Sequence, residues 1–297
     1  MIDIKTNKIL IPVDFSNIAQ RALRHGAFIA QKSKGELILL HVQKKRELLE
    51  VILPAFKTKS ASRVKEFLQE KLGKLAESVR KEYQVRVRAL VVIGNIASEI
   101  AKAAKEEGAD LIIMGTQGSD SANDLFLGSN SYRVLTKSAI PVMTVRADTP
   151  KTGYENILVP IDSSAHSRQK VSSALQIANK FSSDLHVLGL LGIHEENYEY
   201  KLRMILPQIQ KMAKASRLVC TAAIEQAVNR AEKTLAYARK VKADLIIIMA
   251  DQRAELSSLM LGTYAHQLIN NSKIPVLSIP PEVHPENVEA DSIGGMW

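Results

Sequence analysis

The sequence predicts an α/β protein built as two tandem doubly wound parallel-sheet domains. Three observations predict it: an internal repeat, an alternation of short apolar strands with longer amphipathic stretches, and helix caps at matching places. Sliding the chain along itself exposes the repeat. Lys8-Ile-Leu-Ile-Pro-Val-Asp14 recurs as Asn156-Ile-Leu-Val-Pro-Ile-Asp162 at an offset of 148, and Leu37–Val42 recurs as Leu185–Leu190 at the same offset. Farther on, Ala109-Asp-Leu-Ile-Ile113 recurs as Ala243-Asp-Leu-Ile-Ile247, and Ser138-Ala-Ile-Pro-Val142 as Ser272-Lys-Ile-Pro-Val276. The offset there is 134, so the second copy is 14 residues shorter between its second and fourth strands. Several matched segments in one order mark a tandem duplication.

Taken in order, each copy opens on a strand that ends at an aspartate, Asp14 or Asp162. A helix-length stretch follows, Ser16 to Lys34 and Ser164 to Ser182, each led by a serine of the N-cap type. The second apolar strand comes next. Ser98, just ahead of Glu99, is expected to cap a helix running to Glu107, which Gly108 closes. The fourth strands, Leu111–Met114 and Leu245–Ile248, are apolar throughout and read as central strands covered on both faces. Strands alternating with helices give βαβ units and a parallel sheet. The last strands, Val142–Arg146 and Val276–Ile279, would be bare sheet edges in an isolated copy. They are therefore expected to lie side by side and cover each other, a pseudo-dimer within one chain. The domain boundaries read as 1–147 and 154–281, joined through Arg146 to Glu155, with 282–297 a mobile tail of prolines, acids and glycines.

Bulk properties remove several classes. The 297 residues are 46% hydrophobic and 24% charged, as in an ordinary globular chain. No apolar run approaches the ~20 residues of a membrane helix, and the N-terminus leads straight into a strand with no signal peptide. A lone cysteine, Cys220, cannot form an internal disulfide, which fits the cytoplasm, and it reads as a small buried apolar residue. The net charge of +9 raises nucleic acid as a partner. The basic residues, however, are spread among glutamates along helical faces, as around Arg63-Val-Lys65 and Lys71 to Lys74. That is a solvated surface, and nucleic acid is not expected.

In a doubly wound sheet, ligands bind beyond the carboxyl ends of the strands where the strand order reverses. The first copy puts its unusual residues there: Asp14 after the first strand, Val42 at the end of the second, Gly115 at the end of the fourth. Then come Gly118 and, after nine residues, Gly128-Ser129-Asn130 opening the last helix. Glycines let a phosphate approach the backbone, and a helix start offers it free N–H groups and partial positive charge. Ser129 adds a hydroxyl. Asp14, by contrast, accepts hydrogen bonds and repels phosphate. That polarity predicts a nucleotide with its base and sugar near Asp14 and its phosphates near Gly128.

The run Ile9-Leu-Ile-Pro-Val-Asp14-Phe15-Ser16, then Leu39-Leu-His-Val42, then Gly-x2-Gly-x9-Gly-Ser resembles the universal stress protein family, tandem type. The resemblance spans both copies and implies a Rossmann-like fold of the adenine-nucleotide α-hydrolase kind. It also implies ATP as the ligand, with magnesium, and a role in stress response. By the same resemblance Asp14 and the backbone of Val13 and Val42 hold adenine and ribose, with Pro12 also among the nucleotide-binding residues. Met114, Gly115, Gly118, Gly128, Ser129 and Asn130 line the phosphate path. Family members often carry a basic or histidine residue around Gly118, where this chain has Gln117 and Ser119, with Asp120 and Asp124 in the same loop. That departure lowers the affinity expected for a triphosphate.

The second copy keeps Asp162, but Gly115 becomes Met249 and Gly118 becomes Gln252, leaving only Gly262-Thr263 of the motif. One nucleotide per chain is therefore expected. Asp162, Ser163, Ser164 and His166 contain the residue types of a hydrolase triad, but neighbours on one turn do not take up triad geometry, and the serines read better as caps. His41, set among apolar strand residues, reads as a core or crevice histidine. No metal-ligand spacing and no Gly-x4-Gly-Lys-Ser/Thr loop is present. Three functions remain in play. One is a nucleotide-responsive module acting on a protein partner, alone or as a homodimer. The others are a slow ATPase, disfavoured because no general base stands near the glycines, and a ligand-free scaffold.

Overall fold

The structure, a computed structural model, describes residues 6–44, 59–116, 127–149, 152–162, 164–193, 195–250, 252–253 and 260–281. The loop containing Gln117, Gly118, Ser119, Asp120 and Asp124, and the tail from 282 onward, lie outside the described residues. The first copy runs β1 (Lys8–Pro12), α1 (Asn17–Ser33), β2 (Glu36–Gln43), α2 (Lys59–Tyr83), β3 (Arg86–Ile93), α3 (Ile96–Glu106), β4 (Leu111–Gly115), α4 (Ser129–Lys137) and β5 (Val142–Val145). The second runs β6 (Asn156–Ile161), α5 (Ala165–Phe181), β7 (Asp184–Leu191), α6 (Glu196–Ala215), β8 (Cys220–Gln226), α7 (Arg230–Lys240) and β9 (Leu245–Met249). A two-residue pair, β10 (Gln252–Arg253) and β11 (Met260–Leu261), precedes α8 (Thr263–Asn271) and β12 (Val276–Ile279).

Local chemistry sets the ends of these elements. Ser16 caps α1 by accepting from the Ala19 N–H at 3.2 Å, and Lys34 closes it in the left-handed conformation. Ser164 and Ser182 do the same for α5, so both helices begin and end where the sequence places them. The third helix differs. Asn95, not Ser98, is the cap of α3, because its side chain accepts from the Ser98 N–H at 3.2 Å, and Glu107 is already the C-cap. Gly108 takes φ +62° behind it, as expected for a glycine closure.

Strand alternation then divides the core in two. Ile9, Ile11 and Val13 face α1 and α2, whereas Leu10 faces the layer of α3 and α4. α5 and α6 continue the first layer in the second copy, and α7 and α8 the second. β4 and β9 are buried along both faces from Leu111 to Met114 and from Leu245 to Met249. The main sheet runs β3-β2-β1-β4-β5-β12-β9-β6-β7-β8, parallel within each copy. Its one antiparallel seam joins the copies: β12 pairs β5, with Val276 opposite Thr144, Leu277 opposite Met143 and Ser278 opposite Val142. The two edges predicted to cover each other do so. Cys220 departs from expectation, sitting half-buried on edge strand β8, with its thiol pushed up to about 11 by desolvation. No described helix is long and apolar enough to cross a membrane.

Candidate functional site

The chain winds from β1 outward to β3, then returns to lay β4 on the other side of β1, so the strand order reverses between β1 and β4. The crevice beyond their carboxyl ends gathers most of the residues singled out in the sequence. The last β1–β2 pair is Pro12 with Leu40, while β2 continues to Gln43, so Val42 lies past the end of β1. Gly115 ends β4, and α4 is stitched directly to it. The Thr116 N–H donates to Val145 O at 2.9 Å, and the Gly128 N–H donates to Thr116 O at 2.7 Å. The Ser131 hydroxyl donates to Gly115 O at 2.8 Å. These bonds tie Gly128 and the start of α4, with Ser129 and Asn130, to the end of β4, at the same end of the first copy's sheet as Pro12, Val13, Asp14, Val42, Met114 and Gly115. The Met114 side chain itself is buried with Ile100, Val134 and Leu135, so its backbone is what it offers the crevice.

Asp14 is half-buried, and its Oδ1 accepts from the Ser16 N–H at 3.0 Å and the Ser16 hydroxyl at 2.6 Å. This turn carries Phe15 at φ +62°, a left-handed conformation that a bulky residue adopts only when its surroundings enforce it. Lys71 sits 4.0 Å over the Phe15 ring, and His41 packs against the ring with centroids 5.1 Å apart. His41 Nδ1 lies 2.7 Å from Val13 O, while its buried Nε2 has no hydrogen-bond partner among the described residues. The Val13 N–H already donates to Leu40 O at 2.8 Å, and its carbonyl keeps a second lone pair beyond the one His41 engages. Beside Phe15, between α1 and α2, opens a cavity of about 330 Å³ lined by Val13, Leu23, Lys71 and Leu75 among others. From the sequence neither Phe15 nor Lys71 has a place in the site: Phe15 is only part of the family motif, Lys71 reads as part of a solvated face, and His41 reads only as a core or crevice residue. The contact between Phe15 and Lys71 joins residues far apart in the chain.

The glycine-led starts of α4 and α8 differ from those of α1, α3, α5 and α7. Side chains cap α1, α3, α5 and α7, through Ser16, Asn95, Ser164 and Asn229. α4 begins at Gly128 with no side-chain cap. Gly128 has ordinary extended angles (φ −62°, ψ 147°), so what glycine contributes is the missing side chain. Among the described residues no side chain takes up the first-turn N–H groups, where Ser129 is exposed and Asn130 half-buried, and the helix dipole favours an anionic acceptor there.

The second copy keeps the carboxylate and changes its surroundings. Asp162 Oδ1 accepts from the Ser164 N–H at 2.9 Å and its hydroxyl at 2.6 Å, as Asp14 does with Ser16. Burial pushes the Asp162 carboxyl up, but the Ser164 bonds, with Lys170 and Arg230 nearby, outweigh it and hold the group below its usual range. Lys170 stands where the first copy has Ala22, and only 4% of it is exposed. Its ammonium donates to the Ser167 hydroxyl at 3.1 Å, and desolvation lowers its pKa to about 8 against the pull of Asp162. Arg230, replacing Ile96, pairs with Glu195 at 2.5 Å. Met249, in place of Gly115, is buried. The side chains of Ser163, His166 and Gln252 lie outside the described residues, as does any test of a triad there. Among the described residues, no group of three or more metal-ligating side chains forms.

Comparison with known proteins agrees with this architecture. The Universal stress protein family matches residues 5–146 and again 153–280. Universal stress protein MJ0577 of Methanocaldococcus jannaschii is 36% identical over 152 residues, covering 47% of this chain and 94% of that protein. Universal stress protein YxiE of Bacillus subtilis is 29% identical over 146 residues, 47% of this chain and 99% of the relative. Each of these relatives thus corresponds to about half of this chain. Over nearly the whole length, the crystal structure of a universal stress protein from Archaeoglobus fulgidus shares the fold, with a TM-score of 0.75 at 20% identity, covering 95% of this chain and 98% of that one. The chain belongs to the universal stress protein family and carries two of its domains in tandem.

Proposed function

We propose that this chain is a nucleotide-responsive regulatory module whose first domain, residues 1–147, binds ATP or a closely related adenine nucleotide. The second, 154–281, has given up the phosphate grip. The observation that carries the reading is the uncapped start of α4, stitched to the end of β4 at the point where the strand order reverses, with Asp14 on the opposite lip. A helix N-terminus without a side chain suits a phosphate chain. A half-buried carboxylate at the end of β1 suits ribose hydroxyls or an exocyclic amine. The orphaned Nε2 of His41 adds a polar atom awaiting a partner at the same end. Magnesium would arrive on the phosphates. The setting expected is the cytoplasm, and the output is a change in how the chain engages a protein partner.

Calorimetric titration of ATP and of adenosine tests this. One site per chain is expected for each. Asp14→Ala should weaken both about tenfold, as loss of one charge-assisted contact does. Ser129→Ala should weaken ATP alone. Two equivalent sites per chain would overturn the asymmetry between domains, and absence of binding would leave the ligand-free scaffold.

A further inference from the structure

We infer that Asn270, a residue of the second domain, is a positioning residue for the phosphate end of the first domain's site, so that this site is complete only across the junction. The inference rests on the nucleotide reading above. Leu127 immediately precedes Gly128, and its N–H donates to Asn270 Oδ1 at 2.5 Å. The next N–H, that of Gly128, donates to Thr116 O at 2.7 Å. Two consecutive backbone donors thus fix the approach to α4, one anchored inside the first domain and one in the second.

Asn270 is itself held in place. Its carbonyl accepts from the Arg146 guanidinium, just past β5, and its Nδ2 lies 3.4 Å from His266 Nδ1. His266 packs edge-on against Tyr132 of α4, with ring centroids 5.8 Å apart. The Tyr132 hydroxyl in turn accepts from the Leu261 N–H at 3.2 Å, and Leu261 precedes Gly262, the matching glycine of the second domain. Each domain's glycine-led helix is therefore approached through an N–H that a side chain of the other domain holds. The two clasps are not copies of one another. By the repeat offset Asn270 corresponds to Thr136, whose hydroxyl donates to Arg133 O in its own helix.

What Asn270 would govern is orientation. The α4 N–H groups bind a phosphate only if they converge on it, and a small displacement of the segment entering the helix misaims all of them together. Among the described residues, the bonds of this clasp involve neither β1 nor β2, from which the base and ribose end would be built.

The experiment titrates ATP and adenosine into the full-length protein and two variants. Asn270→Leu removes the acceptor, and Asn271→Ala removes a bond from the same helix end to its own Gln267 O at 2.9 Å. Asn270→Leu should raise the ATP dissociation constant about tenfold and leave that of adenosine unchanged, while Asn271→Ala should alter neither. ATP affinity unchanged in Asn270→Leu would overturn the inference. So would equal weakening of ATP and adenosine, the signature of a generally loosened junction. If the unmodified protein binds neither ligand, the nucleotide reading has failed and takes this inference with it. A measurement needing no variant guards against misfolding: ATP should slow amide exchange at the end of α8 more than adenosine does, and equal protection by both would count against Asn270.

Discussion

Asp14 and Asp162 occupy the same turn and accept the same two bonds from a serine two residues on, yet they sit in different surroundings. The difference comes from the residues packed behind them, Ala22 in one domain and Lys170 in the other. A buried ammonium whose hydrogen bond among the described residues goes to the Ser167 hydroxyl is expensive. Its folded pKa of about 8 lies below the ordinary 10.5, so between those values the unfolded chain binds more protons and stability rises with pH. Below about pH 8 the full penalty remains, up to about 3 kcal/mol for a shift of this size. Asp162 does not depend on Lys170 alone, since the Ser164 N–H and hydroxyl both donate to its carboxylate. Lys170→Met should therefore raise the urea midpoint at pH 7 and flatten the rise in stability between pH 7 and 10. A lower midpoint at pH 7 would mean that the lysine holds the crevice together rather than straining it.

At the scale of elements, the turn between α1 and β2 places a strict demand on one residue type. A Cβ added to Gly35 would lie 2.7 Å from the carbonyl oxygens of both Thr6 and Asn7, which are backbone atoms and cannot swing aside. Gly35→Ala should cost about 1–3 kcal/mol in urea denaturation, as overpacking does, and an unchanged midpoint would show that the β1 approach can shift. The limits of α1 and α5 were legible because a serine cap and a left-handed closing residue act within a few positions of the helix they bound. α3 was misread because Asn95 and Ser98 are both good caps, and sequence alone does not say where β3 stops. The β5–β12 seam was legible because two bare apolar edges in one chain have an obvious remedy. His41 against Val13 and Asn270 against Leu127 were not legible. Those contacts join residues 28 and 143 positions apart, and they depend on which way a strand or helix end faces once packed.

For the whole molecule, the segment between domains acts as a bolt rather than a tether. The Arg21 guanidinium donates to Thr149 O at 2.7 Å, and Tyr154, only 2% exposed, is driven between α1 and α5. There its ring meets those of His25, Phe28 and Phe181, and its hydroxyl lies 2.8 Å from His25 Nδ1 and 3.4 Å from Met143 Sδ. His25 is 3% exposed, and burial, helped by the nearby Arg21 charge, lowers its pKa to about 4. The folded value lies below the unfolded 6.5, so the neutral imidazole contributes stability that is complete above about pH 6.5 and lost as pH falls toward 4. A shift of that size corresponds to about 3 kcal/mol. Because the histidine sits at the junction, acid should loosen the two domains from each other. Other groups also titrate in this range, so the clean measurement is a difference. The stability gap between the unmodified protein and His25→Gln, taken from urea denaturation, should narrow by about 3 kcal/mol between pH 7 and pH 4. A gap that stays constant over that range would mean that His25 titrates in the folded protein much as it does in the unfolded chain, and that the aromatic bolt tolerates a charge.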